Sequence, residues 1–212
     1  VPRTRIADIR RREIIEAAYK IFSEKGYHKT KMTDIATELE LSHATLYRYF
    51  SNKRDIAAAV TDIVIGMITA VVLAEPAEDM QTLEDYRERL KRIGDRFFKL
   101  HEYDPKMHDI FFTQAAGVDE SIARKLREGF DRFTAYTEEY LETGMKRGFL
   151  RPDIHVHETA LAINAMLWEA ARRLSEETGL SEEAKKVWQE TIIGLMLYGL
   201  ATQAGREPSG QD

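Results

Sequence analysis

The chain has 212 residues, 43% of them hydrophobic and 32% charged, with no cysteine and a formal net charge of −5. That length makes one large domain or two small ones, either able to bury a core. The lack of cysteine excludes a disulfide scaffold, a Cys-ligated zinc or iron–sulfur site and a thiol nucleophile, and it fits a reducing cytoplasm. No apolar leader core follows the basic start Val1-Pro2-Arg3-Thr4-Arg5. Charge is unevenly spread: residues 1–55 hold 12 Lys/Arg against 8 Asp/Glu, and the remainder 19 against 28. A basic N-terminal quarter on an acidic protein points to a polyanion as its partner, with surface scatter as the competing explanation.

Almost every segment follows the 3.6-residue period and none sustains strand alternation, so the expected fold is all-α with about nine helices. Ile14, Ala18, Ile21 and Phe22 mark one apolar face over about 8–25, ended by Gly26 at a C′ position. Two short helices follow, near 32–39 and 43–49. Asn52 then opens a long helix to about Ala74, stopped by Glu75-Pro76. Its stretch 56–73 is long and apolar enough to raise the question of a membrane span. Asp62 within it, and the absence of flanking aromatic belts, favour a helix buried inside a helical protein.

A helix near 80–103 breaks at Asp104-Pro105, and a short one covers about 106–115. Ile122, Leu126, Phe130, Phe133, Tyr140 and Leu141 mark a long helix closing around Gly144 to Gly148. After a turn at Arg151-Pro152-Asp153, Ala160, Ile163, Asn164, Leu167, Trp168 and Ala171 form the face of a helix over about 154–178. Ser181 starts the last helix, to about 203, and residues 204–212 are a polar tail expected to be disordered.

Residues 31–50 carry the chemistry. Helices as short as 32–39 and 43–49 are marginal alone in water and must dock on the face of the first helix. Ile35, Leu39, Leu41 and Leu46 face inward, Ala36 is small where the pair would cross, and Ser42 is a good N-cap for the second helix. This is the pattern of a helix-turn-helix, whose second helix enters the major groove of DNA. That helix shows His43, Ala44, Thr45, Tyr47, Arg48 and Tyr49 outward, with hydroxyls and one guanidinium but no carboxylate. Such groups bond phosphate oxygens or base edges, and Arg48 has the fork that grips guanine. Lys53 sets an ammonium beside the positive end of the next helix, favourable only with an anion there. A solvated polar face is the alternative.

The run Gly26-Tyr27-His28-Lys29-Thr30, then Asp34-Ile35-Ala36, Leu41-Ser42-His43-Ala44-Thr45-Leu46-Tyr47-Arg48-Tyr49-Phe50 and Asn52-Lys53 resembles the DNA-binding domain of the tetracycline-repressor (TetR) family of bacterial transcriptional regulators. The match covers about 8–68. The resemblance implies that Thr30, Tyr47 and Lys53 hold phosphates, and that Thr33, His43, Ala44, Thr45, Arg48 and Tyr49 lie in or along the major groove, with Lys31 and Ser42 completing the contact set. Three positions depart from the family pattern. Lys31 replaces a capping hydroxyl, Ala44 a common Gly, and Glu40 the usual turn glycine, which asks a non-Gly residue to adopt a left-handed backbone.

The resemblance also implies a division into a reading head at 1–55 and an effector-binding and dimerisation domain at 56–203. It implies a homodimer on a palindromic operator, paired through the last two helices. Ala184, Thr191 and Gly199 would permit close approach there, with Trp188, Ile192 and Leu195 supplying area. A repressor released by a small, largely apolar ligand follows, its site drawn from Met67, Phe97, Phe98, Phe111, Phe112, Phe133, Tyr136, Tyr140 and Trp168, oriented by Asn164. The competing reading of these aromatics is plain core. The sequence shows no Gly-x-Ser-x-Gly and no phosphate loop, and His101, His108, His155 and His157 lack the helical i,i+3 or i,i+4 spacing of metal pairs. No enzyme, metal, cofactor or membrane is expected.

Overall fold

A computed structural model describes residues 3–76, 80–103, 120–176 and 181–200. Among them run eight helices and no strand: α1 Arg3–Lys25, α2 Met32–Glu38, α3 His43–Tyr47, α4 Lys53–Leu73, α5 Leu83–Tyr103, α6 Glu120–Lys146, α7 Val156–Glu176 and α8 Glu182–Leu200. The expected helix at 106–115, with Phe111 and Phe112, and the tail at 204–212 lie outside the described residues. The chain divides into two compact units, whose described parts are 3–66 with 120–129, and 67–103 with 130–200.

In the first unit α1 packs on α2, and α2 on α3. Ile14, Ala18, Ile35, Leu46 and Ile56 are fully buried, and Phe22, Ala36, Phe50 and Val60 nearly so. Burying each large side chain here contributes about 1.5–3 kcal/mol relative to leaving it in water, which is what holds two helices too short to stand alone. α1 ends at Gly26, whose φ of 82° lets its N–H reach the carbonyl of Phe22 at 2.9 Å. Residue 62 of α4 faces outward and is held by Lys125 of α6 at 2.6 Å. Close approach of these helices depends on Gly129, where a Cβ would meet the side chain of Ile65 at 2.8 Å.

Helix α4 has a mean hydropathy of 2.4 over its most apolar 18-residue window and passes for a membrane span by length and composition. Ile56, Val60, Val64, Ile68 and Val72 are all buried within the protein, which accounts for that apolarity as core. Asn52 caps it reciprocally: its Oδ1 accepts the N–H of Asp55 at 2.9 Å, and its Nδ2 donates to the Asp55 carboxylate at 3.2 Å.

In the second unit α5, α7 and α8 pack against one another. A capping box starts α5, in which the Thr82 hydroxyl accepts from Asp85 N–H and the Asp85 carboxylate accepts from Thr82 N–H. Ser181 likewise caps α8 through the N–H of Ala184 at 3.1 Å. Around Trp168, ring centroids lie at 5.0 Å for Phe97, 5.6 Å for Phe130, 5.8 Å for Phe133 and 5.9 Å for His101. These are distances at which aromatic pairs add to plain area burial.

Candidate nucleic-acid interface and ligand cavity

The reading helix is built from its caps. α2 ends with Glu40 at φ 53°, the left-handed turn the sequence requires of a non-Gly residue. Glu40 N–H reaches Thr37 O at 3.1 Å and Leu41 N–H reaches Ala36 O at 2.8 Å, the paired bonds of a Schellman turn. At the other end of α2, the Asp34 carboxylate accepts the backbone N–H of Lys31 at 2.9 Å. That bond, with Lys25 nearby, holds the Asp34 carboxyl below its ordinary range. The acid therefore supplies the reciprocal half of a capping box, while the Asp34 N–H that a hydroxyl at position 31 would take goes to Lys31 O at 3.0 Å. Ser42 then opens α3, its Oγ accepting from Thr45 N–H at 3.2 Å and lying 2.9 Å from the Thr45 hydroxyl.

From that frame His43, Ala44, Tyr47 and Arg48 project into solvent, Thr45 and Tyr49 are half-buried, and Leu46 alone is anchored in the core. Tyr47 is 50% exposed and lies beside His43, ring centroids 6.2 Å apart. Lys31 and Thr33 are exposed on the first turn of α2. The α-helical part of the reading segment is two residues shorter than 43–49, because Tyr49 N–H and Phe50 N–H both turn back onto Leu46 O.

Two residues expected to hold phosphates make internal hydrogen bonds. Thr30 is 1% exposed, and its hydroxyl donates to Gly26 O at 2.8 Å. The Lys53 ammonium donates to Tyr27 O at 2.6 Å and to Thr30 O at 2.7 Å, and stands 4.2 Å from the centroid of the Tyr27 ring. Partial burial lowers its pKa, opposed by the charge of Asp34. Through these backbone carbonyls the lysine ties the turn after α1 to the start of α4.

In the second unit a partly open cavity of about 60 Å³ is lined by α5, α6, α7 and α8 with Val72 of α4. Its walls are almost wholly apolar, with the side chains of Tyr86, Thr137, Tyr140 and Gln189 as the polar exceptions. Of the residues expected there, Phe98, Phe133 and Tyr140 do line it. Phe97 and Trp168 lie instead in the aromatic cluster described above, and Met67 is 46% exposed. Tyr136 is half-buried and not part of the wall. Asn164 accepts from the Thr137 hydroxyl at 2.9 Å and donates to that of Thr134 at 3.3 Å, so both ends of its amide are engaged by α6.

Ile192, expected at a dimer surface, is 3% exposed and lines this cavity, because α8 turns that face inward. Ala184 and Trp188 are half-buried, and Thr191, Leu195 and Gly199 are exposed. Gln189 is a wall residue that sequence reading missed, although a lone amide between Trp188 and Ile192 on an apolar helix was a usable signal. It bonds Lys91 O and the Asp95 carboxylate, and packs where a Cβ on Gly94 would come within 3.1 Å of it.

Comparison with known proteins agrees with this geometry. The model of bacterial regulatory proteins of the tetR family matches residues 14–60, and that of a tetracyclin repressor-like C-terminal domain matches 83–173. The HTH-type transcriptional activator FasR of Mycolicibacterium smegmatis is 27% identical over 120 residues, spanning 57% of this chain but only 53% of its own. The fatty acid metabolism regulator protein of Bacillus subtilis is 22% identical over 144 residues, 68% of this chain and 72% of its own. Among solved structures, a transcriptional regulator from Saccharomonospora viridis in complex with choline has a TM-score of 0.75 at 22% identity, covering 92% of this chain and 100% of its own. FadR from Bacillus subtilis in complex with stearoyl-CoA has a TM-score of 0.74 at 19% identity, covering 88% and 97%. With both halves of the family pattern matched and the reading helix formed as described, the chain belongs to the tetR family of bacterial regulatory proteins.

Proposed function

We propose that this protein is a cytoplasmic, ligand-responsive regulator without catalytic activity, which binds a palindromic operator as a homodimer and is released from it by a small, largely apolar ligand. The observation that carries the DNA reading is the outward face of α3: imidazole, methyl, phenol and guanidinium on a helix anchored by one buried leucine, with no carboxylate from 43 to 49. Ser42 and Thr45 order the helix, Lys53 and Thr30 order the turn behind it, and Lys31, Thr33, His43, Ala44, Tyr47, Arg48 and Tyr49 are the contact set. Residues 1–55 carry this head and residues 56–203 the ligand and partner surfaces.

Dimerisation is supported by the large apolar side chains left exposed on α7 and α8: Leu161, Val187, Leu195 and Tyr198 at 48%, 53%, 60% and 74%. The ligand reading rests on the apolar cavity, and on choline and stearoyl-CoA occupying proteins of the same fold. To move occupancy from 1:99 to 99:1 the ligand must prefer the released state about 10⁴-fold, so it must reshape this cavity and not merely fill it.

Selection from random duplex DNA tests the reading directly. An enriched palindrome is the expected result; no enrichment at low salt removes DNA recognition. A dimer neutralising roughly eight phosphates loses affinity with a slope near −7 in log K against log salt.

A further inference from the structure

From the polar end of the apolar cavity we infer that the effector is an apolar acid with a free carboxylate, held by the guanidinium of Arg89 and the hydroxyl of Tyr140. The inference rests on the ligand reading above and names the chemistry of that ligand.

Tyr140 lines the cavity and is 6% exposed, yet its hydroxyl has no hydrogen-bond partner. Arg89 shares a face of α5 with two other wall residues, Tyr86 three positions before it and Ile93 four after it. Its Nη1 is also buried without a partner, and its charge acts on the Tyr140 hydroxyl. Burial pushes the Tyr140 phenol up to about 12, against the pull of Arg89, so it stays protonated and able to donate at neutral pH. Among the described residues two buried donor atoms, Tyr140 Oη and Arg89 Nη1, thus lack an acceptor, and the second belongs to a cation; the Glu75 carboxylate, whose charge also acts on the Tyr140 hydroxyl, is a competing acid.

The neighbouring carboxylates are committed elsewhere. Glu75 accepts from Arg92 and Arg96, each at 3.0 Å, and among the described residues Arg89 makes no ion pair, although its charge acts on Asp85 one turn before it. Asp85 is occupied in capping the backbone N–H groups of Gln81 and Thr82. The matching ligand brings two acceptor oxygens and a negative charge on an apolar body. An ester or thioester brings a carbonyl but no charge, and leaves the half-buried Arg89 guanidinium without a counter-charge.

Octanoate, methyl octanoate and octanoyl-CoA, titrated calorimetrically into the full-length protein, test this. Octanoate is expected to bind at least about tenfold tighter than methyl octanoate, the range of one charge-assisted hydrogen bond. Arg89→Met should remove that preference by weakening octanoate alone, Arg89→Lys should restore part of it, and Tyr140→Phe should reduce it by a smaller factor. An unchanged circular-dichroism melt shows that each variant is folded. Equal binding of acid and ester, a preference surviving Arg89→Met, or tighter binding of octanoyl-CoA than of octanoate overturns the carboxylate assignment while leaving an apolar cavity in use. Failure of all three probes to bind removes the ligand reading and this inference with it.

Discussion

Both units cap helix ends with polar groups, as Ser42 and Asn52 do in the first and Thr82 and Ser181 in the second, but the second adds a large aromatic cluster and internal hydrogen bonds between helices. In the first, Asp34, Ser42 and Asn52 satisfy backbone N–H groups at helix starts, and Lys53 satisfies carbonyls of the turn after α1. In the second, Phe97, Phe130 and Phe133 surround Trp168, and the Thr137–Asn164 bond joins α6 to α7. Polar residues in a basic, DNA-facing segment thus divide between those that build the reading helix and those that it presents. Charge and residue type do not separate the two; the helix-end hydrogen bonds do.

That contrast can be broken at four points. Leu46 is the sole core anchor of α3, so Leu46→Ala should cost about 3 kcal/mol, read as a lower urea midpoint with loss of DNA binding. A cost under about 1 kcal/mol would show that the caps alone hold the helix. Lys53→Met should destabilise the first unit by about 2 kcal/mol, the scale of hydrogen bonds from a charged donor. Its DNA affinity should fall on every sequence while the salt slope stays that of the parent. A slope shallower by about one for each subunit would return Lys53 to the phosphate contacts.

Glu40→Gly should raise stability by up to about 1 kcal/mol, since relief of the left-handed turn exceeds the unfolded-state entropy it adds. An unchanged or lower melting temperature would mean that the turn carries no strain. The smallest effect belongs to the second unit. His157 Nδ1 lies 2.6 Å from the Glu138 carboxylate, and that hydrogen bond raises its pKa above 6.5. A histidine raised on folding stabilises fully below its unfolded value and loses that contribution as pH climbs through the folded one. Glu138→Gln should bring the NMR titration of His157 down toward 6.5 and flatten stability across that window.

The helix-turn-helix was legible because its signals are local. Gly26, Ser42, Asn52 and the inward Leu46 act within three or four residues, and each stands where the spacing put it. The destination of a long polar side chain was not legible: Lys53 reaches 26 residues back to Tyr27 O, a path set only once α1 and α4 are packed. The cavity wall was legible only in part for a related reason. Phe97 and Phe98 are neighbours in sequence, but one turns to Trp168 and the other to the cavity. Which does which depends on how α5 is rotated against α7 and α8. Ile192 sits on the same apolar stripe as exposed Leu195, and periodicity alone cannot say which side of α8 stays covered.

Both tryptophans of the chain, Trp168 and Trp188, belong to the second unit, and the first has tyrosine and phenylalanine but no tryptophan. Indole emission from this protein is therefore blind to the reading helix. Trp168, ringed by Phe97, Phe130, Phe133 and His101, will report the repacking of the aromatic cluster, whether a molecule enters beside it or heat loosens it. A fluorescence melt and a circular-dichroism melt that part company would give, from the native chain and without a label, the order in which the two units come undone.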